Sequence, residues 1–208
     1  MPKKTAVMLA ALGLAGLGLS GCAAAHTGTA AVIGDTKINE DVIGSQLNAI
    51  NTVLGIPADS PSSVASLGLV TRNVQTELVN QLADSLDVTV PGSEVSEATN
   101  LAIQQAGGPE LFEQQAAQSL VPPDEIETVL QASLLLAAIG ETLAPGASPA
   151  EQQQAALQAL SDYGLEVGVE IAPKYGEWSP QQLQPQAPTD PVSEPGEPPA
   201  AQNLLPQQ

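Results

Sequence analysis

The chain has 208 residues, enough for a single domain with a sizeable core, and its 5 basic and 23 acidic residues give a formal net charge of -18. A polyanion of this kind is repelled by nucleic-acid phosphates and by anionic lipid head groups, which argues strongly against nucleic-acid binding. Aromatic residues make up only 2% of the chain, so its aliphatic residues favour packed helices over an aromatic-rich β core.

The first 21 residues have the layout of a secretory signal peptide. Lys3 and Lys4 form a short basic segment, and residues 6–19 form an apolar segment that is too short for a comfortable membrane span. The sequence Leu19-Ser20-Gly21-Cys22 comes next, and it resembles the lipobox of bacterial lipoproteins. Basic segment, apolar segment and lipobox stand in the order that lipoprotein leaders require.

The lipobox resemblance implies cleavage between Gly21 and Cys22, with a diacylglyceryl group (acyl chains such as palmitate) on the Cys22 sulfur. Two or three acyl chains hold a protein at a membrane far better than one. The resemblance thus implies a lipid-anchored protein on the extracytoplasmic face of a bacterial membrane. An uncleaved anchor, or ordinary cleavage that leaves a free thiol, is the alternative. Cys22 is the single cysteine, so an internal disulfide is excluded.

Residues 22–29 are small and polar, and we expect them to form a lipidated tether. They contain the one histidine of the chain, His26, and a flexible residue beside a lipid is poorly suited to hold catalytic geometry. Cleavage before Cys22 leaves three basic residues (Lys37, Arg72 and Lys174) against all 23 acidic ones, a formal charge of -20. The folded part is therefore expected to be still more acidic than the whole chain.

Residues 30–38 predict a β-hairpin, because Gly34-Asp35 stands between two apolar segments. Apolar residues at helical spacing and capping residues then predict successive helices. These helices begin near Asn39, Ser63, Ser93, Glu110, Asp124 and Ser148, the last with a Ser148–Glu151 capping box and with Gly164 as its end. The apolar run 134–139 is expected to lie at the centre of the bundle.

Residues 166–171 alternate with a period of two, which predicts a strand. Because unpaired backbone groups are costly, this strand needs a partner, and the hairpin at 30–38 is the available one. We therefore predict a mainly α fold: a bundle of about five to six helices with a small β-sheet formed by the N-terminal hairpin and the C-terminal strand. The domain is expected to span 30–179, and the Pro/Gln-rich tail 180–208 to be disordered.

Three segments resemble the N-terminal domain of the SurA/PrsA family of extracytoplasmic folding factors. Residues 32–42 are similar to the opening hairpin and first helix, 86–95 to the link into a later helix, and 167–178 to the closing strand and its sequel in lipoproteins of high-GC Gram-positive bacteria. Full-length members insert a parvulin isomerase domain, for which this chain has no room. The resemblance thus implies a chaperone-like module without isomerase activity, and with unfolded or nascent exported polypeptides as partners.

Residue inventory argues against an enzyme. A serine nucleophile lacks a positioned histidine, zinc lacks His and Cys ligands, and no glycine-rich phosphate loop is present. The acidic pairs Glu94/Glu97 and Glu125/Glu127 lie in first turns of predicted helices, where the dipole favours acids. We therefore predict no catalytic residue, no metal and no cofactor.

The favoured function is that of a holdase, with an apolar cradle for extended clients. The candidate client-contacting residues are Leu67, Val70, Val74, Leu101 and Phe112. Ordinary core packing is the simpler interpretation of each of them. An adaptor lipoprotein that binds one envelope partner, with help from its Pro-rich tail, is the alternative function. A solute-binding lipoprotein with two α/β lobes fits less well, because strand content is low.

Overall fold

Strands from the two ends of the body pair in one antiparallel sheet. The structure, a computed structural model, describes residues 28–187. Strand β1 (Thr29–Ile33) pairs with β2 (Thr36–Asn39) as a hairpin, and β3 (Val169–Ile171) pairs with the other edge of β1. Ala31 lies opposite both Ile38 and Ile171 in the two registers. This confirms the predicted closure of the domain by its terminal strands.

Six helices fill the chain between β2 and β3, in agreement with the predicted mainly α bundle. They are α1 (Glu40–Val53), α2 (Ser63–Ser85), α3 (Gly92–Ala106), α4 (Pro109–Gln118), α5 (Ile126–Leu143) and α6 (Pro149–Val167), with a 3₁₀ turn at Pro123–Glu125 before α5. The N-terminus of α6 follows its sequence signal closely. The Ser148 hydroxyl accepts from the Glu151 N–H, and the Glu151 carboxylate accepts from the Ser148 N–H at 2.9 Å.

Helix α2 is the central element of the core. It packs against α1, α5, α6 and β1. Three side chains along its buried face, Val70, Val74 and Leu78, are fully removed from solvent. These residues belong to the core, because three helices and a strand cover them. Their burial stabilises the fold through the hydrophobic effect.

Helix α5 packs against α2, α3 and α6, as its apolar sequence predicts. Leu135 and Ile139 are buried, but Leu134 is only half-buried and Ala137 is exposed. The segment Pro123–Leu143 is long and apolar enough to cross a membrane by length and composition, and 28% of its most apolar window is buried in the protein. A core helix of a soluble protein meets the same criterion. The run 134–139 is therefore central on one side and open on the other.

The end of α6 differs from the prediction. The helix continues through Gly164 to Val167, and the strand begins only at Val169. A Cβ atom at Gly164 would lie 3.6 Å from Leu78, so this glycine is a site of close helix packing and not a helix stop. Gly168, with a φ of +77°, makes the turn into β3 instead.

The predicted domain boundaries are also corrected. Strands β4 (Glu177–Ser179) and β5 (Gln184–Gln186) form a second hairpin, and Leu183 between them joins the core. The body thus extends beyond 179, and the predicted tail 180–208 loses its first residues to it. At the other end, Thr29 belongs to β1 and Gly28 accepts from the Glu40 N–H at 2.8 Å. The predicted leader, Cys22, His26 and residues 188–208 lie outside the described residues.

Candidate peptide-binding groove

An open apolar groove of about 510 Å³ lies where α1, the start of α2 and the C-terminal region meet. We call it the α1–α2 groove. Its lining is Leu47 from α1, the residues Pro61, Ser62, Ser63, Val64, Ser66 and Leu67 at the start of α2, and the pair Lys174 and Tyr175. Val64 is 79% exposed, and it presents its apolar side chain at the groove. The volume is within the range of sites that hold small molecules or a few side chains.

Local chain signals shape each wall of the groove. The Ser62 hydroxyl accepts from the Ala65 N–H and caps α2, so the first turn of α2 turns Val64 outward at the groove. Pro173 begins a single 3₁₀ turn, Pro173–Tyr175, which brings Lys174 and Tyr175 to the opposite wall. The two walls therefore come from two local features that are far apart in sequence, the capped start of α2 and the 3₁₀ turn at Pro173–Tyr175.

A small polar cluster holds the wall formed by Lys174 and Tyr175. The Lys174 Nζ donates to the Glu40 carboxylate at 2.8 Å, and the Tyr175 hydroxyl donates to the same Glu40 oxygen at 2.8 Å. The Lys174 ammonium also lies 4.8 Å from the centre of the Tyr175 ring, in a cation–π arrangement. Glu40 is the first residue of α1, where the helix dipole favours an acid.

The protonation states of this cluster follow from its contacts. The hydrogen bond to Glu40 raises the pKa of Lys174, so its amine stays charged at neutral pH. Burial, and then the hydrogen bond to Glu40, raise the pKa of Tyr175, so its hydroxyl stays neutral and donates. Lys174 and Tyr175 therefore remain donors through neutral pH, and the two contacts are lost as the pH rises through these raised pKa values.

The groove offers contact area and little chemistry. Of the nine described residues that line it, Lys174 alone is charged, and a protonated Lys174 cannot serve as a base for Ser62, Ser63 or Ser66. Within residues 28–187, no group of three or more His, Cys, Asp or Glu side chains is arranged to hold a metal ion. Binding in this groove would depend on apolar burial.

The predicted client-contacting residues separate into three groups. Leu67 is half-buried and lines the groove, as a contact residue should. Val70 and Val74 are 0% exposed, so they are core residues and the prediction that they contact clients is wrong for this conformation. Leu101 on α3 is 53% exposed and Phe112 on α4 is half-buried, but neither lines the groove. The structure thus brings only one of the five to the groove.

Sequence reasoning missed most of the groove. Val64, Lys174 and Tyr175 were not among the predicted contacts, because Val64 is more than 100 residues from the other two in the chain. One signal was available: Val64 falls outside the buried stripe that includes Val70 and Val74, yet it is a large apolar residue in a first helical turn. The other two residues offer no such pattern, since only the closing sheet places their segment beside α1.

Arg72, the other cation of the helical body, has a structural role. Its guanidinium donates to the carbonyl oxygens of Ser119 and Leu120, where α4 ends. A cation at a helix C-terminus is favoured by the dipole, and this contact holds α4 against α2. Burial lowers the pKa of Arg72. Its charge is thus directed at backbone carbonyls of α4 and not at the groove.

Comparison with known proteins identifies no relative. No family model matches the chain, and neither the curated proteins nor the solved structures contain a match. The likeness of residues 32–42, 86–95 and 167–178 to the SurA/PrsA family therefore stays a prediction from the sequence.

Proposed function

We propose that this protein is a membrane-anchored extracytoplasmic holdase, a chaperone-like lipoprotein that binds apolar stretches of exported polypeptides in the α1–α2 groove. No isomerase or other catalytic activity is part of the proposal. The observation that carries it is the groove itself: an open apolar concavity with an exposed Val64 and a predicted contact residue, Leu67, side by side.

The groove suits weak and sequence-tolerant binding. Its lining is mostly apolar, and the hydroxyls of Ser62, Ser63 and Ser66 along one wall are adaptable partners for a client backbone. Apolar burial is non-directional, so different client side chains are accepted at similar cost. Holdases require this kind of contact, since they meet many unfolded chains and must release them.

The charge of the body supports the same role. Acidic residues outnumber basic ones by 23 to 3 beyond residue 21, which keeps a protein soluble while it holds an aggregation-prone client. The long-range field also draws basic clients toward the surface. Within the groove, Lys174 is paired with Glu40, so apolar contact, and not charge, would hold the client there.

Val64→Gln is expected to weaken client binding with little effect on folding. Losing the contact of one valine with a client costs about 1 kcal/mol, or about fivefold in apparent affinity. The measurement is light scattering from a reduced secreted protein, mixed at near-stoichiometric amounts with the chain from residue 23 onward. Leu165→Gln is the matched control, because Leu165 is 56% exposed on α6 and lies outside the groove lining.

Two outcomes would count against the holdase. One is no slowing of aggregation at about tenfold excess of the protein; the other is equal loss from the Val64→Gln and Leu165→Gln variants. An adaptor lipoprotein instead predicts one defined partner in pull-downs, and loss of that partner when residues 188–208 are removed. The holdase should recover many unrelated clients.

Cys22→Ser is expected to abolish lipid attachment and to leave the leader on the chain. Without the thiol, no diacylglyceryl group can be attached, and the leader is no longer cut at the lipobox. The measurement is metabolic labelling by a palmitate analogue, together with the mass of the protein, which shows whether residues 1–21 are still present. Ser20→Ala, which leaves Gly21 and Cys22 in place, is the control. Labelling of the Cys22→Ser variant at the original level would contradict lipidation at this site.

A further inference from the structure

The described chain ends beside the α1–α2 groove. Gln186, near the end of β5, pairs with Glu177 of β4. Its carbonyl oxygen lies so close to Gly176 that a Cβ atom there would overlap it. Gly176 directly follows Tyr175, which with Lys174 forms one wall of the groove. The described chain therefore ends, at Ala187, next to this wall.

We propose that the segment Leu204–Leu205 near the C-terminus docks into the α1–α2 groove and competes there with clients. This segment is the one pair of adjacent large apolar residues in 188–208, where Val192 is the only other. Two adjacent leucines match the apolar lining at Leu47, Val64 and Leu67.

The charges around the groove are compatible with the same occupant. Residues 188–208 carry three acidic side chains, Asp190, Glu194 and Glu197, and no basic one. The body is acidic and repels such a segment, whereas the described lining of the groove contains no carboxylate and one cation, Lys174, which is paired with Glu40. The groove lining itself therefore adds no repulsion against an acidic tail.

The length of the tail is sufficient. Leu204 follows Ala187 by 17 positions, which corresponds to an end-to-end distance of about 20–25 Å for a flexible chain and up to about 50 Å for a Pro-rich one. Linkers of this length give effective concentrations of about 1–10 mM. A segment with an intrinsic Kd of about 1 mM would then occupy the groove for much of the time.

The alternative intramolecular occupant starts at the other end of the body. Gly28 lies against Glu40, which contacts Lys174 and Tyr175, so the described chain also begins near the groove, directly after residues 22–27. Those residues carry no aliphatic side chain larger than alanine. The tail is thus the better sequence-encoded ligand, and a chain without Cys22 removes any acyl chain from the test.

The test compares backbone amide shifts of the chain from residue 23 to 208 with those of its Leu204→Ser/Leu205→Ser variant. The double variant is expected to shift the amides of Val64, Leu67 and Tyr175, whereas Val192→Ser, the matched tail control, leaves them in place. A synthetic peptide of residues 188–208 should bind the chain ending at Ala187 about threefold to tenfold more tightly than the full-length form. Val64→Gln should abolish the difference.

Unchanged groove amides in the double variant would overturn the proposal. Shifts that grow with protein concentration would overturn it as well, because they assign the groove to a second copy of the chain. Docking of the tail does not require the holdase function. Competition between the tail and clients does rest on the proposed function, and in that case removing residues 188–208 should raise the anti-aggregation activity severalfold. Amide shifts without anti-aggregation activity would support docking of the tail and contradict the holdase function. Anti-aggregation activity without amide shifts would support the holdase function and contradict docking.

Discussion

Replacing Gly140 with alanine is expected to destabilise the protein by about 2–3 kcal/mol, although alanine is the better helix former. Gly140 lies inside α5 and faces the backbone of α6. A Cβ atom there would lie 2.5 Å from the carbonyl oxygen of Gln152 and 2.9 Å from its carbonyl carbon. These are backbone atoms of α6, so the two helices must separate to make room. The Gln152 side chain also donates to Ala144 at the end of α5, and this contact would be strained too.

Gly44→Ala provides the matched control. Gly44 lies inside α1, is exposed, and has no neighbouring atom within 4 Å of its ideal Cβ position. Alanine there should stabilise the protein by about 0.5–1 kcal/mol through backbone entropy. Urea unfolding followed by circular dichroism gives the free energy of unfolding of both variants. In thermal unfolding, the Gly140→Ala variant should lose about 5–10 °C in Tm. Equal stabilisation by the two changes would mean that α5 and α6 are farther apart than the structure places them.

Ending the chain at Ser179 is expected to cost about 3–5 kcal/mol, a large fraction of the stability of a domain of this size. The truncation removes Leu183, which is 9% exposed and belongs to the core. It also removes the carbonyl of Leu183 that accepts from the Gln75 side chain of α2 at 2.8 Å. Strand β4 loses its partner β5, so Trp178 loses the residue opposite it, Pro185.

Ending the chain at Ala187 is the control, because it keeps both strands and Leu183. Its stability should lie within about 1 kcal/mol of the full-length value, since it removes none of the described contacts. Thermal unfolding of the two truncated chains, each beginning at residue 23, gives the comparison. Similar melting temperatures for the two would show that the hairpin at 177–186 contributes little. Experiments on the tail should therefore cut after Ala187, and not after Ser179.

Local sequence signals determined most of the elements. The hairpin before α1 follows from Gly34-Asp35 between apolar segments, and the start of α6 follows from the Ser148–Glu151 capping box. The pairing of β3 with β1 followed from a global argument: a single strand at the end of a helical chain needs a partner, and one edge was available. These signals act within a few residues or through obligatory backbone pairing, so they can be interpreted from the sequence without knowledge of the packing.

Other features were decided only by tertiary packing. Helical periodicity places Leu67, Val70 and Val74 on one apolar stripe, but it cannot show which part of the stripe neighbouring elements cover. In the structure α1, α5, α6 and β1 cover the middle of α2, and its first turns remain open as a groove wall. Glycines behave in the same way: Gly140 and Gly44 look alike in sequence, and differ because only one faces another backbone.

The end of the domain shows the same division. Residues 180–187 have a polar, Pro/Gln-rich composition that predicts disorder, because such segments bury too little apolar surface to offset their loss of entropy. Residues 180–187 are nevertheless ordered because Leu183 packs into the core beside α2, and its carbonyl oxygen accepts from the Gln75 side chain. The sequence alone thus determined the fold class and the closing sheet, which depend on local spacing and backbone pairing. The extent of the body and the position of the groove depend on distant surfaces meeting, which only the tertiary structure decided.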